Sequence, residues 1–349
     1  MGKAMRVKIM ESPVAQGNET KPLIPSGVTM LALAMEAHMT DKKERPVYGS
    51  AETPPVSRPQ DEIPQERQIP SKVTAPSLIA RKGTGQAILC LTAYDWPTAR
   101  LVDEAGFDLI LVGDSMANVV LGHASTLKIS LDQIISATRA VKRAVDRPLV
   151  VADMPFGTYH VSVEETIINA LRLVREGGAQ AVKLEGGVAR AHLVQALVEA
   201  DIPVMGHVGL LPQAVNVRGG FRVQGRTLDS ARRLLEDALA LQEAGAFAIV
   251  LEGVPSAVAA RITERLSVPT IGIGAGGGCD GQILVFHDVV GLSMGPAPKF
   301  VKRYANVAEV MRDALKGLVS DIRDGSFPTD EHTYDAKSQL PKDWDSEIE

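Results

Sequence analysis

Three phrases recur along the chain with the same grammar: EAGFDLILVG at 104–113, EGGAQAVKLEG at 176–186 and EAGAFAIVLEG at 243–253. Each passes from helix-forming residues through a glycine into a short aliphatic run. The glycine marks a helix end, because the left-handed conformation that closes a helix is least costly for glycine. The run that follows is continuously apolar, which predicts a strand buried on both faces, as in a parallel sheet covered by helices. Eight strands of this kind are predicted, at Ile88–Ala93, Leu109–Gly113, Leu149–Asp153, Ala181–Glu185, Val204–His207, Ala248–Glu252, Thr270–Ile273 and Val289–Ser293. Every interval but the last is long enough for a crossover helix. Eight such units over about 230 residues fit an α/β chain closed into a (β/α)8 TIM barrel better than an open sheet.

The flanks read differently. Seven of the chain's 21 prolines lie between Asp41 and Pro76, mixed with Glu, Arg, Gln and Ser. Such a stretch has too little large apolar surface to offset its ordering entropy. Residues 1–76 are therefore expected to be a disordered or surface-draped extension, with Met39 as a plausible shorter start. Residues 77–334 are expected to form the barrel and 335–349 a polar C-terminal tail.

Composition narrows the function classes. The net charge is −5, and no basic patch carries interleaved aromatics, so nucleic acid is not expected as a partner. Two cysteines, Cys90 and Cys279, are too few to staple 349 residues and suit a reducing compartment, so a cytoplasmic location is expected. The apolar run GVTMLALAMEAH at 27–38 is broken by Glu36 and is too short to span a bilayer, so no membrane association is expected.

In a barrel of this kind function sits at the C-terminal strand ends. Those ends carry an unusual set: Asp114 and Ser115 after the second strand, Asp153 ending the third, Lys183 and Glu185 on the fourth, His207 on the fifth and Glu252 on the sixth. A single Asp there is commonly a helix N-cap, Ser115 could cap the following helix, and His207 is as consistent with a satisfied core histidine as with a functional one. Charged groups after five successive apolar strands are harder to explain structurally, since buried charge is costly unless paired or bound to metal. Asp114, Asp153 and Glu185 suit a hard cation, with Mg2+ the default. Lys183 faces the same side as Glu185 and suits a substrate carboxylate. Glu252, further round the barrel and partly desolvated at the end of an apolar strand, suits a general base. Gly272–Gly277 reads GIGAGG, a G-x-G-x-x-G match. It opens no new βαβ unit and lacks the expected later acidic residue, so a glycine loop at the barrel mouth is expected rather than a dinucleotide site, with a phosphate cradle as the lesser reading.

At these residues the chain resembles the ketopantoate hydroxymethyltransferase (3-methyl-2-oxobutanoate hydroxymethyltransferase) family. The resemblance runs from about Lys72 to Tyr334 through LTAYD at 91–95, LVGDS at 111–115, VADMPFG at 151–157, AVKLEGG at 181–187, PVMGHVGL at 203–210, GGFRVQGR at 219–226, VLEGVP at 250–255, GIGAG and CDGQILV within 272–285, and PKF at 298–300. It implies a barrel of the phosphoenolpyruvate/pyruvate type, Mg2+, 5,10-methylenetetrahydrofolate as one-carbon donor, a 2-oxo acid acceptor and a homo-oligomer, a homodecamer in the family. Residue by residue, it implies that Asp114 and Asp153 ligate Mg2+, with Glu185 as a third carboxylate acting through water. It further implies that Asp114, Ser115, Asp153 and Lys183 surround the 2-oxo acid and that Glu252 is the base; His207 is a further site candidate on its strand-end position alone. Ala124, Leu211 and Gly278 depart from residues frequent in the family; none is an expected ligand or base.

The reaction so implied is transfer of a hydroxymethyl group to 3-methyl-2-oxobutanoate through a Mg-stabilised enolate, giving 2-dehydropantoate in the first committed step of pantothenate synthesis. Two readings compete. One is a related Mg-dependent 2-oxo acid carbon–carbon lyase or phosphonomutase, whose KxCGH-like loop this chain lacks. The other is a barrel kept as a scaffold, which an intact set of site residues argues against.

Overall fold

Eight parallel strands close into a barrel in their order along the chain: β1 Ile88–Thr92, β2 Leu109–Val112, β3 Leu149–Asp153, β4 Ala181–Glu185, β5 Val204–Gly209, β6 Ala248–Glu252, β7 Thr270–Ile273 and β8 Gly281–Leu284. The computed structural model describes residues 71–295, 297–334 and Asp343. Those from Ser71 onward belong to one compact unit, Glu66–Glu349. The extension expected over 1–76 thus lies outside the described residues up to position 70, and so does the expected tail apart from Asp343.

Closure has a simple cause. β2 to β5 are buried at every position, so each strand needs a covered face on both sides. Inward side chains, among them Ile88, Leu109, Val151, Met205, Val250 and Ile283, pack in an inner cluster. The outward ones, among them Ile110, Val150, Val182 and Leu251, pack against the surrounding helices. Those helices are Trp96–Glu104, Leu131–Ala144, Val163–Arg175, Ala191–Glu199, Leu228–Glu243 and Ser256–Arg265. Leu131–Ala144 shows why they form where they do. Ser130 caps its start and Gln133 returns a hydrogen bond to the cap, while Ile134, Ile135 and Val141 turn inward. Each such aliphatic side chain contributes about 1.5–3 kcal/mol on burial.

Two expectations need correction. The unit begins earlier than residue 77: Val73 donates its N–H to Arg147 O at 2.9 Å, and Val73, Ala75 and Leu78 join the inner cluster. The eighth strand is Gly281–Leu284, not Val289–Ser293. Phe286–Val289 is a short helix, and the chain turns at Gly291, which has φ +70°. The β7–β8 link is only residues 274–280 and holds no helix, so a search for strands spaced by crossover helices overshoots. Gly281 has to be a glycine where it pairs with β1, because a Cβ there would sit 2.5 Å from Ile88 O.

The base of the barrel is tied by one buried carboxylate. Asp108 accepts from Leu89 N at 2.9 Å and pairs with Arg81 at 2.9 Å and Arg147 at 2.6 Å. The helix Val307–Asp324 is different from the others: none of its residues is buried, and Val310, Met311, Leu315, Leu318, Val319 and Ile322 are exposed. Among the described residues no helix is long and apolar enough to cross a membrane.

Candidate active site

The C-terminal strand ends enclose a cavity of about 440 Å³ with a polar floor and an apolar mouth. Asp114, Ser115, Asp153, Lys183, Glu185, His207 and Glu252 all line it. Every site residue expected from the sequence is therefore brought to one place. Val119, Leu210, Pro212, Phe221, Leu284 and Phe300 form the mouth.

Register accounts for the gathering. Asp153 is paired with Lys183 across β3 and β4, Glu185 with His207 across β4 and β5, and Gly209 with Glu252 across β5 and β6. Lys183 is 3% exposed and forms an ion pair with Asp153 Oδ1, while Asp153 Oδ2 accepts from the backbone N–H of Asp114 at 2.9 Å. Neither aspartate caps a helix. Ser115 sits at the start of Met116–Val119 but makes no capping bond; its hydroxyl pairs with Tyr94 OH at 2.7 Å.

His207 lies between two carboxylates, with Nδ1 3.4 Å from Glu185 Oε1 and Nε2 3.3 Å from Glu252 Oε2. These are ion-pair contacts, too poorly aligned to be hydrogen bonds. Burial opposes a charge on the imidazole, but the flanking carboxylates outweigh it and raise its pKa to about 9. The carboxylates on either side thus favour the protonated imidazole, which links the third carboxylate to the expected base.

Sequence reasoning missed the residue that joins these parts. Gln213, buried on the 3-10 turn Pro212–Ala214, donates from Nε2 to Asp114 Oδ2 at 3.0 Å and to Met154 O at 3.1 Å. Its backbone N–H donates to Glu185 Oε2 at 3.0 Å, and its Oε1 accepts from Tyr159 OH at 2.6 Å. An uncharged residue on an irregular turn has neither periodicity nor charge to reveal it; its nearest signal is its position just after the PVMGHVGL segment.

The donor set fits a divalent cation. Three carboxylates are buried together, and burial followed by repulsion from Asp153 and Glu185 raises the Asp114 pKa to about 7. Burial also raises that of Asp153, although Lys183 opposes this. Asp153 Oδ1 and Glu185 Oε1 receive no aligned hydrogen bond. Such a floor is short of positive charge. Among the described residues no three His, Cys, Asp or Glu side chains close into a cage for an ion. Two carboxylates with open positions are what Mg2+ takes, since it keeps several waters and substrate oxygens.

The G-x-G-x-x-G stretch ends β7 and enters the short β7–β8 loop, and it opens no helix. Gly274, at φ +60°, lets the Phe300 ring close the mouth, for a Cβ there would lie 2.7 Å from it.

Fold and site together define a (β/α)8-barrel enzyme with an acid-lined site at the C-terminal strand ends. The ketopantoate hydroxymethyltransferase family model matches residues 72–330, and the chain belongs to that family. The 3-methyl-2-oxobutanoate hydroxymethyltransferase of Pelobacter propionicus is 55% identical over 263 residues, covering 75% of this chain and 97% of its own. That of Koribacter versatilis is 50% identical over 279 residues, covering 80% and 93%. Among solved structures, a phosphonopyruvate hydrolase aligns with a TM-score of 0.50 at 16% identity, covering 76% of this chain and 92% of its own. The phosphoenolpyruvate phosphomutase of Streptomyces platensis subsp. rosaceus aligns with a TM-score of 0.50 at 16% identity, covering 75% and 92%. At that identity the likeness is one of fold.

Proposed function

We propose that this enzyme transfers a hydroxymethyl group from 5,10-methylenetetrahydrofolate to 3-methyl-2-oxobutanoate, giving 2-dehydropantoate and tetrahydrofolate with one water consumed, the first committed step of pantothenate synthesis. The observation that carries the reading is the single cavity holding Asp114, Ser115, Asp153, Lys183, Glu185, His207 and Glu252, in a chain of this family.

Asp114 and Asp153 would hold Mg2+, with Glu185 as the outer carboxylate. When bound, the ion would withdraw electron density from the keto group and so acidify the neighbouring C3–H. Lys183 stays protonated: burial opposes its charge, but Asp153, Glu185 and Asp114 outweigh burial and hold its pKa above the ordinary lysine value. It supplies the positive charge that receives the substrate carboxylate, and Ser115, steadied by Tyr94, donates beside it. Glu252 removes the C3 proton, and His207 fixes its carboxylate in place. One of the two carbon–nitrogen bonds of the methylene bridge opens, C3 bonds to the methylene carbon, and water then displaces the second nitrogen, so that the hydroxyl oxygen comes from water and the protons from C3 and water end on the two nitrogens of tetrahydrofolate. The apolar mouth keeps bulk water from the carbanion.

The working form is proposed to be a cytoplasmic homo-oligomer. The free thiols of Cys90 and Cys279 support the compartment. The unburied apolar face of Val307–Asp324 supports self-association, because an amphipathic helix of that length needs a covering surface. Light scattering on the full-length protein tests it, and a monomer would refute it.

The test of the reaction is an assay of purified protein with 3-methyl-2-oxobutanoate, Mg2+ and methylenetetrahydrofolate. Formation of 2-dehydropantoate is expected. A protein that neither forms it nor exchanges the C3 hydrogen with solvent would refute the assignment.

A further inference from the structure

A second cavity, of about 680 Å³, lies behind the catalytic one on the β4–β5 side of the barrel. The partition between them is the segment Leu210–Gln213. Leu210 and Pro212 line the catalytic cavity, while Leu211 and Gln213 line the second. Glu185 touches both.

Three arginines from three elements converge on this second space: Arg190 from the 3-10 helix Val188–Arg190, Arg218 from Val215–Arg218 and Arg233 from Leu228–Glu243. None forms an ion pair among the described residues. Arg190 lies over the Tyr159 ring at 5.7 Å, Arg218 donates to Gln224 Oε1 at 3.1 Å, and Arg233 has no side-chain partner among the described residues. What sets the three apart is their convergence on one cavity, since Arg143, Arg175 and Arg265 also lack an ion pair among the described residues. The acids on the second cavity are otherwise engaged. Asp237 accepts from Val188 N at 2.9 Å, and Glu185 is turned to His207 and the Gln213 backbone. His160, stacked on Tyr159 and Phe156, is held below the ordinary histidine pKa by burial and by Arg190, so it adds a neutral donor rather than a fourth charge.

We infer that this cavity is a binding site for a small molecule with two or more carboxylates. A guanidinium presents a planar fork that fits a carboxylate with two parallel hydrogen bonds. Three such forks without anions, facing a space larger than the catalytic one, are built for a multiply charged ligand and are too many for a single carboxylate. The wall of Phe156, Tyr159 and Leu211 accommodates the carbon chain between the charges. Its floor is Gln213, which also holds Asp114, so a ligand here rests on the residue that positions the catalytic floor. Two sources offer this chemistry. One is the glutamyl end of the folate co-substrate, an assignment that rests on the proposed reaction. The other is a free polycarboxylate, which does not.

Calorimetry on full-length protein without added metal decides the matter, using a γ-linked triglutamate peptide and propane-1,2,3-tricarboxylate as probes. Arg218→Gln with Arg233→Gln is the informative double variant, because both side chains are exposed and neither supports the core; thermal unfolding checks that it is folded. The parent is expected to bind at least one probe, and the double variant to bind it at least about tenfold more weakly, as befits the loss of charge-assisted hydrogen bonds. Binding of triglutamate, with a lower KM for triglutamyl than for monoglutamyl methylenetetrahydrofolate that disappears in the variant, assigns the site to the co-substrate tail. Binding of the tricarboxylate with no effect of tail length assigns it to a free ligand. If the parent binds neither probe at millimolar concentration, or the variant binds as tightly as the parent, the site does not exist. Because binding is read without turnover, failure of the proposed reaction would leave this result standing.

Discussion

Gln213 holds Asp114 by one carboxylate oxygen: its Nε2 donates to Oδ2 at 3.0 Å, while Oδ1 accepts no hydrogen bond from the described residues. The amide thereby aims the other oxygen into the cavity, as an outer partner does for a metal ligand. Gln213→Leu should bind Mg2+ about 10–100-fold more weakly while remaining folded. Asp114→Ala and Asp153→Ala should abolish metal-dependent binding of the 2-oxo acid. Affinity should also depend on pH. Asp114, raised to about 7 by burial and its acidic neighbours, must release its proton before a cation binds, so affinity should fall as pH drops below about 7. Mn2+ titration followed by electron paramagnetic resonance reads all three. Unchanged affinity in the Gln213 variant would make that residue a packing group only.

Lys183 stands at 3% exposure against Asp153, so its charge matters more than its volume. Lys183→Met should raise the KM for 3-methyl-2-oxobutanoate by about ten- to a hundredfold, the usual worth of a hydrogen bond to a charged group. Steady-state kinetics checks this. An unchanged KM would confine Lys183 to its ion pair with Asp153.

Asp108 tests the frame apart from the chemistry. Burial opposes its charge, but Arg81, the Leu89 N–H and Arg147 outweigh burial and hold its pKa below the ordinary aspartate value. A depressed folded pKa contributes stability above the unfolded pKa of about 3.9, and this is lost as pH falls through the lower folded value. Asp108→Asn should therefore lower stability by about 3–5 kcal/mol at neutral pH, the cost of breaking a buried pair. The gap from the parent should close below about pH 4. Urea denaturation at several pH values checks it, and a gap that persisted in acid would show that charge is not the cause.

Removing residues 1–71 should leave folding and turnover near normal. The cut spares Val73, whose N–H binds Arg147 O and whose side chain joins the inner cluster. A cut after Val73 should destabilise the barrel. Thermal melts and activity of the two truncations make the comparison; a loss with the shorter cut would show that the extension packs on the barrel or its oligomer.

The barrel and its polar floor were legible because both rest on short-range pattern. A helix, a glycine and a continuous apolar run announce each of β2, β4 and β6, and a charged residue at such a run's end is conspicuous. β8 escaped because its outward Gln282 is exposed and Gly281 begins it, so it lacks the apolar run that marks a strand covered on both faces. Gln213, Tyr94 and Tyr159 escaped because their roles come from tertiary contact. Tyr159 and Gln213 are 54 residues apart in the chain yet 2.6 Å apart in space. The charge of His207 also required the structure, since only there does it face two carboxylates.

That charge sharpens the assignment of the base. A histidine held between two carboxylates, with its pKa raised above the ordinary value, gives up its proton less readily and is the poorer acceptor of another. Glu252, only partly buried and 3.3 Å from that histidine, is then the carboxylate left for the proposed removal of the C3 proton, since Asp114, Asp153 and Glu185 are the carboxylates proposed for the metal. Glu252→Gln keeps the shape but cannot accept a proton. The variant should bind Mg2+ and 3-methyl-2-oxobutanoate almost normally, because those tasks are proposed for Asp114, Asp153, Ser115 and Lys183. It should lose both hydroxymethyl transfer and the folate-independent exchange of the C3 hydrogen with D2O, each by about 10²–10⁴-fold, the usual worth of a general base. Proton NMR follows the exchange directly, without the second substrate. Exchange at the parental rate alongside failed transfer would make Glu252 a group that places the folate, and the proton would have to leave by another route than the one this geometry offers.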